Sequence, residues 1–381
     1  MAQVVFFIVA LIVYQIAYKR LSKLVLNNML MLIMISFIML ARLSYDKAIR
    51  QFVFVCVTML ACLIIPVIIE KVKYLKSFGW IYGISGLLLL MMVLAFGSKV
   101  YGATNWITIA GFGFQPSEFV KIIFVFFVAS MLSKSTEFID VVKVSVLAGA
   151  HVLVLVAEKD LGGALIFFVT YIVMLYVATA KPLYFISGLL GGSLAAFIAY
   201  KRFYHVRVRV IAWKDPWSVI DDQGYQITQS LFAIGTGSWF GMGLTKGLPT
   251  SIPVVETDFI FSAIAEELGG IFAICLVLLY ISCFVMFVNI SMKMKKVFYK
   301  LVALGLSIIY IFQVFLTIGG VTKFIPSTGV TLPLISYGGS SVISTIIIFS
   351  IIQGLYVLNQ NEDETIEKNK KREDVETNVI R

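Results

Sequence analysis

One acidic residue, Asp258, stands where a carboxylate could do chemistry. It follows Thr257 and comes directly before an apolar run that opens with Phe259. A carboxylate at this position can cap a helix or stabilise its first turn. In surroundings of low polarity the same group can acquire a pKa near neutrality and act as a general base. Both interpretations fit the position, and the second makes Asp258 the leading candidate for a catalytic residue.

Two further groups of charged residues interrupt apolar runs. Glu118 and Lys121 follow Pro116 and are three residues apart, so that on a helix they would share a face and neutralise each other. A structural ion pair is the simpler interpretation, and a contact with a polar ligand is the alternative. Asp160 belongs to a short charged segment, 158–160, which by itself predicts only a turn.

Other polar residues lie close to apolar runs without an evident structural need. Glu266 and Glu267 follow Asp258 by about two helical turns, where no cap requires them, and we expect one of them to face the same cavity. The segment 326–341 is rich in proline, glycine and hydroxyl groups. Small residues suit helix packing, but these hydroxyls could also bind a ligand, and the candidates are Ser336, Tyr337 and Ser340.

Basic residues gather in the long segment 201–258 between two apolar runs. We expect Arg207, Arg209 and Lys246 to face an anionic ligand, although a long segment can also carry positive charge without consequence. The net charge of +10 arises largely from short loops, and we find no nucleic-acid-binding module. The four cysteines lie inside apolar runs and the two histidines are isolated, so the sequence predicts no metal site.

The elements that must position these residues are helices in a membrane. Of the 381 residues, 60% are hydrophobic and 14% are charged, whereas soluble domains are about 25% charged. This composition excludes a water-soluble globular enzyme. Apolar runs of roughly 16–20 residues recur, and each is expected to cross a hydrocarbon core of about 30 Å. We therefore predict an all-α polytopic membrane protein with eleven spans, at about 4–18, 24–41, 51–69, 79–97, 118–133, 141–157, 161–180, 183–200, 259–290, 299–319 and 337–357.

The short loops predict the orientation of these spans. Alternate loops carry Lys and Arg, and the positive-inside rule makes that set cytoplasmic. The N-terminus is then outside and the C-terminus inside, and the longer segments 98–117, 201–258 and 320–336 lie at the outer face. The first apolar run ends in Lys19 and Arg20 rather than in a small-residue cleavage site, which indicates a retained span. The tail after about residue 359 is densely charged and is expected to be disordered.

Five stretches, in this order, carry a resemblance to a known family. They are GFQPSEFVK at 113–121, DPW at 215–217, GYQITQS at 224–230, ETDFIFSAIAEELG at 256–269 and PSTGVTLPLISYGGSS at 326–341. Together they resemble the SEDS family (shape, elongation, division and sporulation), which includes FtsW, RodA and SpoVE. The resemblance implies a ten-helix glycosyltransferase domain at 24–358, preceded by an extra N-terminal transmembrane helix and cytoplasmic turn at 1–23 and followed by the tail at 359–381.

The resemblance also implies a function. The chain would polymerise lipid II into glycan strands at the outer face of the bacterial cytoplasmic membrane, for cell wall synthesis in elongation or division. Asp258 matches the essential aspartate of the family's T-D-F motif. Trp106 matches the tryptophan after the G-x-x-basic stretch, although Thr104 and Asn105 replace the usual basic residue. Asp160 matches the P-D-L-G motif without its proline.

The implied reaction joins a glycan linked to undecaprenyl diphosphate to the 4-hydroxyl of an incoming lipid II, with inversion and release of undecaprenyl diphosphate. Asp258 would act as the general base. Arg207, Arg209 and Lys246, with or without a divalent cation such as Mg²⁺ or Mn²⁺, would stabilise charge on the leaving pyrophosphate. Glu118 and Lys121 would shape the floor of the cavity. The implied partner is a class B penicillin-binding protein (a transpeptidase) in an elongation or division complex.

Two alternatives remain open at the level of sequence. A lipid II flippase would place its polar residues through the full depth of the membrane, whereas a polymerase needs them near the outer face. The candidate residues map to the outer face, which favours the polymerase. A non-catalytic scaffold for a penicillin-binding protein would tolerate the loss of Asp258.

Overall fold

The computed structural model describes residues 2–72, 74–100, 103–109, 112–222 and 224–379, and within them the chain is a bundle of helices. The α-helices are, in chain order, α1 Ala2–Ala17, α2 Lys23–Leu43, α3 Tyr45–Cys62, α4 Ile65–Lys71, α5 Gly79–Phe96, α6 Ser117–Leu132, α7 Phe138–Ala157, α8 Leu161–Thr179, α9 Pro182–Arg202, α10 Tyr204–Lys214, α11 Tyr225–Gly237, α12 Ile260–Lys293, α13 Val297–Val321 and α14 Gly339–Val379. Three strands lie between α5 and α6, namely β1 Ser98–Val100, β2 Ala103–Ile109 and β3 Phe112–Phe114.

The predicted all-α membrane fold is confirmed. Among the described residues, nine helical stretches are long and apolar enough to cross a membrane. Helices α1 and α6 have 16 residues each, fewer than the roughly 20 that span a hydrocarbon core at full thickness. Every one of the eleven predicted spans coincides with a helix or with a helix pair.

Two predicted spans contain breaks that hydropathy does not reveal. The third is divided between α3 and α4, with Pro66 in the first turn of α4, because proline lacks the N–H that would continue the helix. Helix α12 changes direction at Gly269, whose φ is 87°. The segment 238–243 lies against this break: the Gly270 N–H donates to the Ser238 carbonyl at 2.8 Å, and the Met242 N–H donates to the Glu266 carbonyl at 2.9 Å.

The extra N-terminal helix, α1, packs beside the break between α3 and α4. Phe6 contacts Phe52 of α3 with ring centroids 5.5 Å apart. The Tyr14 hydroxyl donates to the Met59 carbonyl at 2.9 Å, and the Tyr18 hydroxyl donates to the Leu63 carbonyl. Here the Leu63 N–H donates to the carbonyls of Leu60 and Ala61, and not to the Met59 carbonyl as in a continuous α-helix. Tyr14 of α1 and Tyr18, which directly follows it, therefore donate to carbonyls that the broken helix leaves free.

Two of the long segments between spans contain regular secondary structure. Strands β1, β2 and β3 form an antiparallel sheet in that order, and the segment 201–258 contains α10 and α11. Sequence reasoning missed these elements because they are short and their polar and apolar residues follow no sustained period.

The C-terminal tail also differs from expectation. We expected disorder after about residue 359, but α14 continues to Val379, with residues 380–381 outside the described ranges. Lys295 pairs with Asp363 and Lys296 with Glu362, each at 2.6 Å. A helix already formed in the bundle extends without a new nucleation cost, and these ion pairs hold its first turns beyond the bundle against the α12–α13 loop.

The contact of α1 with the α3–α4 break predicts a measurable stability effect. Tyr14→Phe removes the only atom of that side chain that can donate to the Met59 carbonyl, so a buried carbonyl loses its partner at a cost of about 1–2 kcal/mol. Thermal unfolding of the purified protein should show a lower midpoint. Tyr45→Phe, at an exposed tyrosine at the start of α3, is the matched control. Equal midpoints for the two variants would contradict this role of α1.

Candidate active site

A cavity of about 810 Å³ lies where several helices begin. This volume is in the range of ligand-binding cavities. Its walls come from the start of α3, the sheet and the start of α6, the α7–α8 turn, α10, residues 254–259 and the segment 320–341. Its charged lining residues are Lys47, Arg50, Glu118, Lys121, Lys159, Asp160, Arg209, Glu256 and Asp258.

Asp258 lies in the wall of this cavity and is half-buried. The residue at the N-cap position of α12 is Phe259, and no side chain caps this helix. The geometry therefore favours the acid–base interpretation over the capping one. Burial raises the pKa of Asp258 to about 6, and the nearby Arg209 guanidinium offsets part of that rise. A carboxylate with this pKa is mainly ionised at pH 7 and can accept a proton.

The segment before Asp258 is held by the segment 332–338. The Ser336 hydroxyl donates to the Thr257 carbonyl and accepts from the Leu332 N–H at 2.8 Å. The Tyr337 N–H donates to the Glu256 carbonyl at 2.7 Å. Ser336 thus binds the protein backbone and does not line the cavity, whereas Tyr337 does line it.

Arg209 and Gly329 lie beside Asp258. The Arg209 guanidinium donates to the Ser327 carbonyl at 3.3 Å. Gly329 has a φ of 73°, and a Cβ added to it would lie 3.5 Å from the Arg209 Nη2 and 3.6 Å from the Asp258 Oδ2. The segment 327–329 therefore packs directly against both charged groups.

The floor of the cavity contains the ion pair that the spacing predicted. Lys121 Nζ lies 2.5 Å from Glu118 Oε2 and also donates to Gln313 at 2.8 Å. The Ser344 hydroxyl donates to Glu118 at 2.8 Å. Both charges are compensated inside the bundle, which fits a structural role at the floor.

Asp160 and Trp106 line the cavity as well. Asp160 caps α8 by accepting from the Gly163 N–H at 2.8 Å, and burial raises its pKa. Trp106 lies on β2, half-buried, with its ring against Gly113. Ser340 has a supporting position, because its hydroxyl accepts from the Gln115 N–H at 3.0 Å.

Besides Ser336 and Ser340, three predicted site residues do not line this cavity. Arg207 and Lys246 are exposed elsewhere. Glu266 is buried in α12 and accepts from the Leu248 N–H at 2.9 Å, and its neighbour Glu267 pairs with Arg42 at 3.0 Å. The side chains of both glutamates lie against residues 247–248. A helical projection shows only their direction around α12 and cannot distinguish this surface from the cavity.

The structure adds cations that sequence reasoning did not assign to the site. Lys47 and Arg50, from the start of α3, and Lys159, from the α7–α8 turn, line the cavity. A signal for the first two was present. The loop between the second and third predicted spans carries basic residues although the predicted orientation places it outside, against the positive-inside rule.

Comparison with known proteins agrees with this architecture. Two curated relatives are the peptidoglycan glycosyltransferase RodA of Mycobacterium tuberculosis, 35% identical over 81% of this chain and 70% of its own, and the probable peptidoglycan glycosyltransferase FtsW of Aliivibrio salmonicida, 38% identical over 74% and 73%.

Solved structures show the same fold. A chain from a study titled "Structural coordination of polymerization and crosslinking by a peptidoglycan synthase complex" superposes with a TM-score of 0.76 at 23% identity, covering 88% of this chain and 97% of that one. RodA of Thermus thermophilus superposes with a TM-score of 0.66 at 22% identity, covering 88% and 96%. The FtsW/RodA/SpoVE family model, described as "Cell cycle protein", matches residues 15–361. The chain therefore belongs to the FtsW/RodA/SpoVE family.

Proposed function

We propose that this chain, a peptidoglycan glycosyltransferase, polymerises lipid II into glycan strands and uses Asp258 as its general base. The observation that carries the proposal is the position of Asp258: a half-buried carboxylate in the cavity wall, beside Arg209, with a pKa raised by burial to about 6. A sugar hydroxyl is a weak nucleophile, and a carboxylate within hydrogen-bond reach removes its proton as the new bond forms.

Other charged residues of the cavity fit the second requirement of this reaction, which is stabilisation of the leaving group. As the acceptor's 4-hydroxyl oxygen attacks the anomeric carbon of the donor, the bond from that carbon to the lipid pyrophosphate breaks, and Asp258 takes the hydroxyl proton. The pyrophosphate leaves with the bonding electrons. Arg209, Arg50 and Lys159 line the cavity and supply the positive charge that this anion needs. They take the role that we expected of Arg207 and Lys246.

The location of the charged groups favours a polymerase over a flippase. Within the cavity they come from helix starts and turns: Lys47 in the first turn of α3, Glu118 in that of α6, Asp160 at the cap of α8 and Asp258 just before α12. They therefore gather toward one end of the bundle. We propose that this end faces outward, as the loop charges predict, with the N-terminus outside and the C-terminus cytoplasmic.

We also propose a class B penicillin-binding protein as the partner of this multi-pass membrane protein, in an elongation or division complex. The similar fold of a chain from a peptidoglycan synthase complex supports this proposal. Relatives named RodA and FtsW match this chain with similar identity, which fits either complex.

The divalent cation stays a prediction. Within the described residues, no three His, Cys, Asp or Glu side chains lie close enough together to hold a metal ion. The proposed steps use only side chains of the described residues.

The central prediction concerns Asp258→Ala. With labelled lipid II and the penicillin-binding partner present, the wild-type protein should form glycan polymer and the folded variant should lose at least about 100-fold in rate, the usual range for a general base. Asp222→Ala, at an exposed acid of the α10–α11 segment, should retain the wild-type rate. Polymer from Asp258→Ala at the wild-type rate would remove Asp258 from the chemistry. Headgroup translocation in liposomes without any polymer would favour the flippase.

The pKa of Asp258 predicts how the polymerisation rate depends on pH. The base must be ionised, and a pKa raised to about 6 means that it becomes protonated as the pH falls through that value. The polymerisation rate at subsaturating lipid II should be nearly constant above this pH and should fall about tenfold per pH unit well below it. A rate that stays constant down to about pH 4, the ordinary range of an aspartate, would contradict the assignment.

The contact of Gly329 with both charged groups predicts a further effect. Gly329→Ala places a side chain on a residue with a φ of 73°, at a cost of about 1–2 kcal/mol. Relief of this strain would move the segment 327–329 against Arg209 and Asp258, and we expect the polymerisation rate to fall several-fold. Gly149→Ala is the control, because a Cβ at that position of α7 meets no atom within 4 Å. Equal rates for the two variants would contradict the supporting role of this segment.

A further inference from the structure

We propose that Lys47 is a positioning residue for the catalytic carboxylate, acting through Glu256 by neutralising its charge and by fixing the backbone that carries Asp258. This inference rests on the proposed role of Asp258 as the general base. Lys47 was not among the site residues expected from the sequence.

Lys47, Glu256 and Tyr337 each contact the other two. The Lys47 ammonium group pairs with Glu256 Oε1 and lies 5.6 Å from the centroid of the Tyr337 ring. The Tyr337 N–H in turn donates to the Glu256 carbonyl at 2.7 Å. Lys47 thus contacts both segments that meet at the base: the segment that ends in Asp258 and the segment that holds it.

A second residue of α3 supports the same junction. Gln51 is fully buried one turn after Lys47 and lies on the same helix face. Its amide donates to the Ser336 carbonyl at 2.9 Å and accepts from the Gly338 N–H at 3.3 Å. The Ser336 hydroxyl donates to the Thr257 carbonyl, next to Asp258. The first turns of α3 therefore brace the segments 256–258 and 336–338 together.

The electrostatic role follows from burial. The side chain of Glu256 is 15% exposed, so its charge is only partly screened by water, and it lies two residues from Asp258. A carboxylate at this distance favours the protonated form of Asp258. The ammonium group of Lys47 opposes that effect, so the pair as a whole acts weakly on the base.

Other charged groups of the cavity must be considered with this pair. Arg209 faces Asp258 from α10, and Asp160 faces Arg209 from the α7–α8 turn. Glu118 and Lys121 neutralise each other on α6. Arg50 and Lys159 add positive charge to the walls. None of these groups changes in the variants proposed below, so a shift between variants reports on the pair.

The experiment compares Lys47→Met, Glu256→Gln and the double variant in complex with the penicillin-binding partner. Initial polymerisation rates on lipid II are measured from about pH 5 to pH 8. This interval contains the expected acidic limb, the range in which the rate falls as the pH decreases. Lys47→Met leaves the Glu256 charge unopposed, so the limb should move to higher pH. Glu256→Gln leaves the Lys47 charge unopposed, so the limb should move to lower pH. Each shift should be about 0.5–1 pH unit, and the double variant should return most of the way to wild type.

The direction of these shifts separates an electrostatic role from a purely structural one. Loss of packing would lower the rate in both single variants and would leave the limb in place or move it the same way. Either of those results, or a double variant that stays shifted, would overturn the proposal. The matched control is the exposed pair Lys143 and Asp140 on α7, 2.9 Å apart, whose variants Lys143→Met and Asp140→Asn should leave the limb unchanged.

Failure of this proposal can be told apart from failure of the proposed function. If Asp258→Ala abolishes polymerisation and the limbs do not move in opposite directions, Asp258 stands as the base and Lys47 has no positioning role. If Asp258→Ala retains activity, the base assignment and the inference about Lys47 both fall.

Discussion

The structure depends on one physical constraint: charged groups inside an apolar bundle must be compensated where they lie. Glu118 is paired with Lys121, Glu267 with Arg42, and Glu256 with Lys47. Asp258 is compensated less completely, since Arg209 offsets only part of the cost of burying its carboxylate. The surrounding pairs are therefore framework. Burial also raises the pKa of Asp160, but Asp160 caps α8, which leaves Asp258 as the cavity carboxylate proposed for proton transfer.

The same constraint applies to the backbone. Where α3 breaks before Pro66 and where α12 breaks at Gly269, carbonyls and N–H groups are released inside the bundle. Each break has a dedicated partner. Tyr14 of α1 and Tyr18, directly after it, bind carbonyls at the first, and the segment 238–243 binds the backbone at the second. The first set of contacts explains how the extra N-terminal helix stabilises the bundle. The second explains why a segment with little apolar periodicity packs beside α12.

Membership of the FtsW/RodA/SpoVE family places this geometry in a chemical context. A glycosyl transfer from a lipid pyrophosphate needs a base at the attacking hydroxyl and positive charge at the leaving group. The cavity offers both within one enclosure, with Asp258 on the segment before α12 and Arg209, Arg50 and Lys159 in the walls. These groups come from four different parts of the chain, so that the helix bundle acts mainly as the frame that brings them together.

The sequence by itself determined the features that depend on local spacing. Apolar run length predicted eleven apolar segments, each of which coincides with a helix or a helix pair. The three-residue spacing predicted the Glu118–Lys121 pair, and the motif around Asp258 indicated the candidate base. Only the tertiary structure decided which distant residues join the site. Lys47 reaches the segment of Asp258 from more than 200 positions away in the chain, whereas Arg207 and Lys246, nearer in sequence, are exposed outside the cavity. The physical reason is that helix period and hydropathy act over a few residues, while the position of a charge in a folded bundle is set by how breaks and long segments pack against helices far away in the chain.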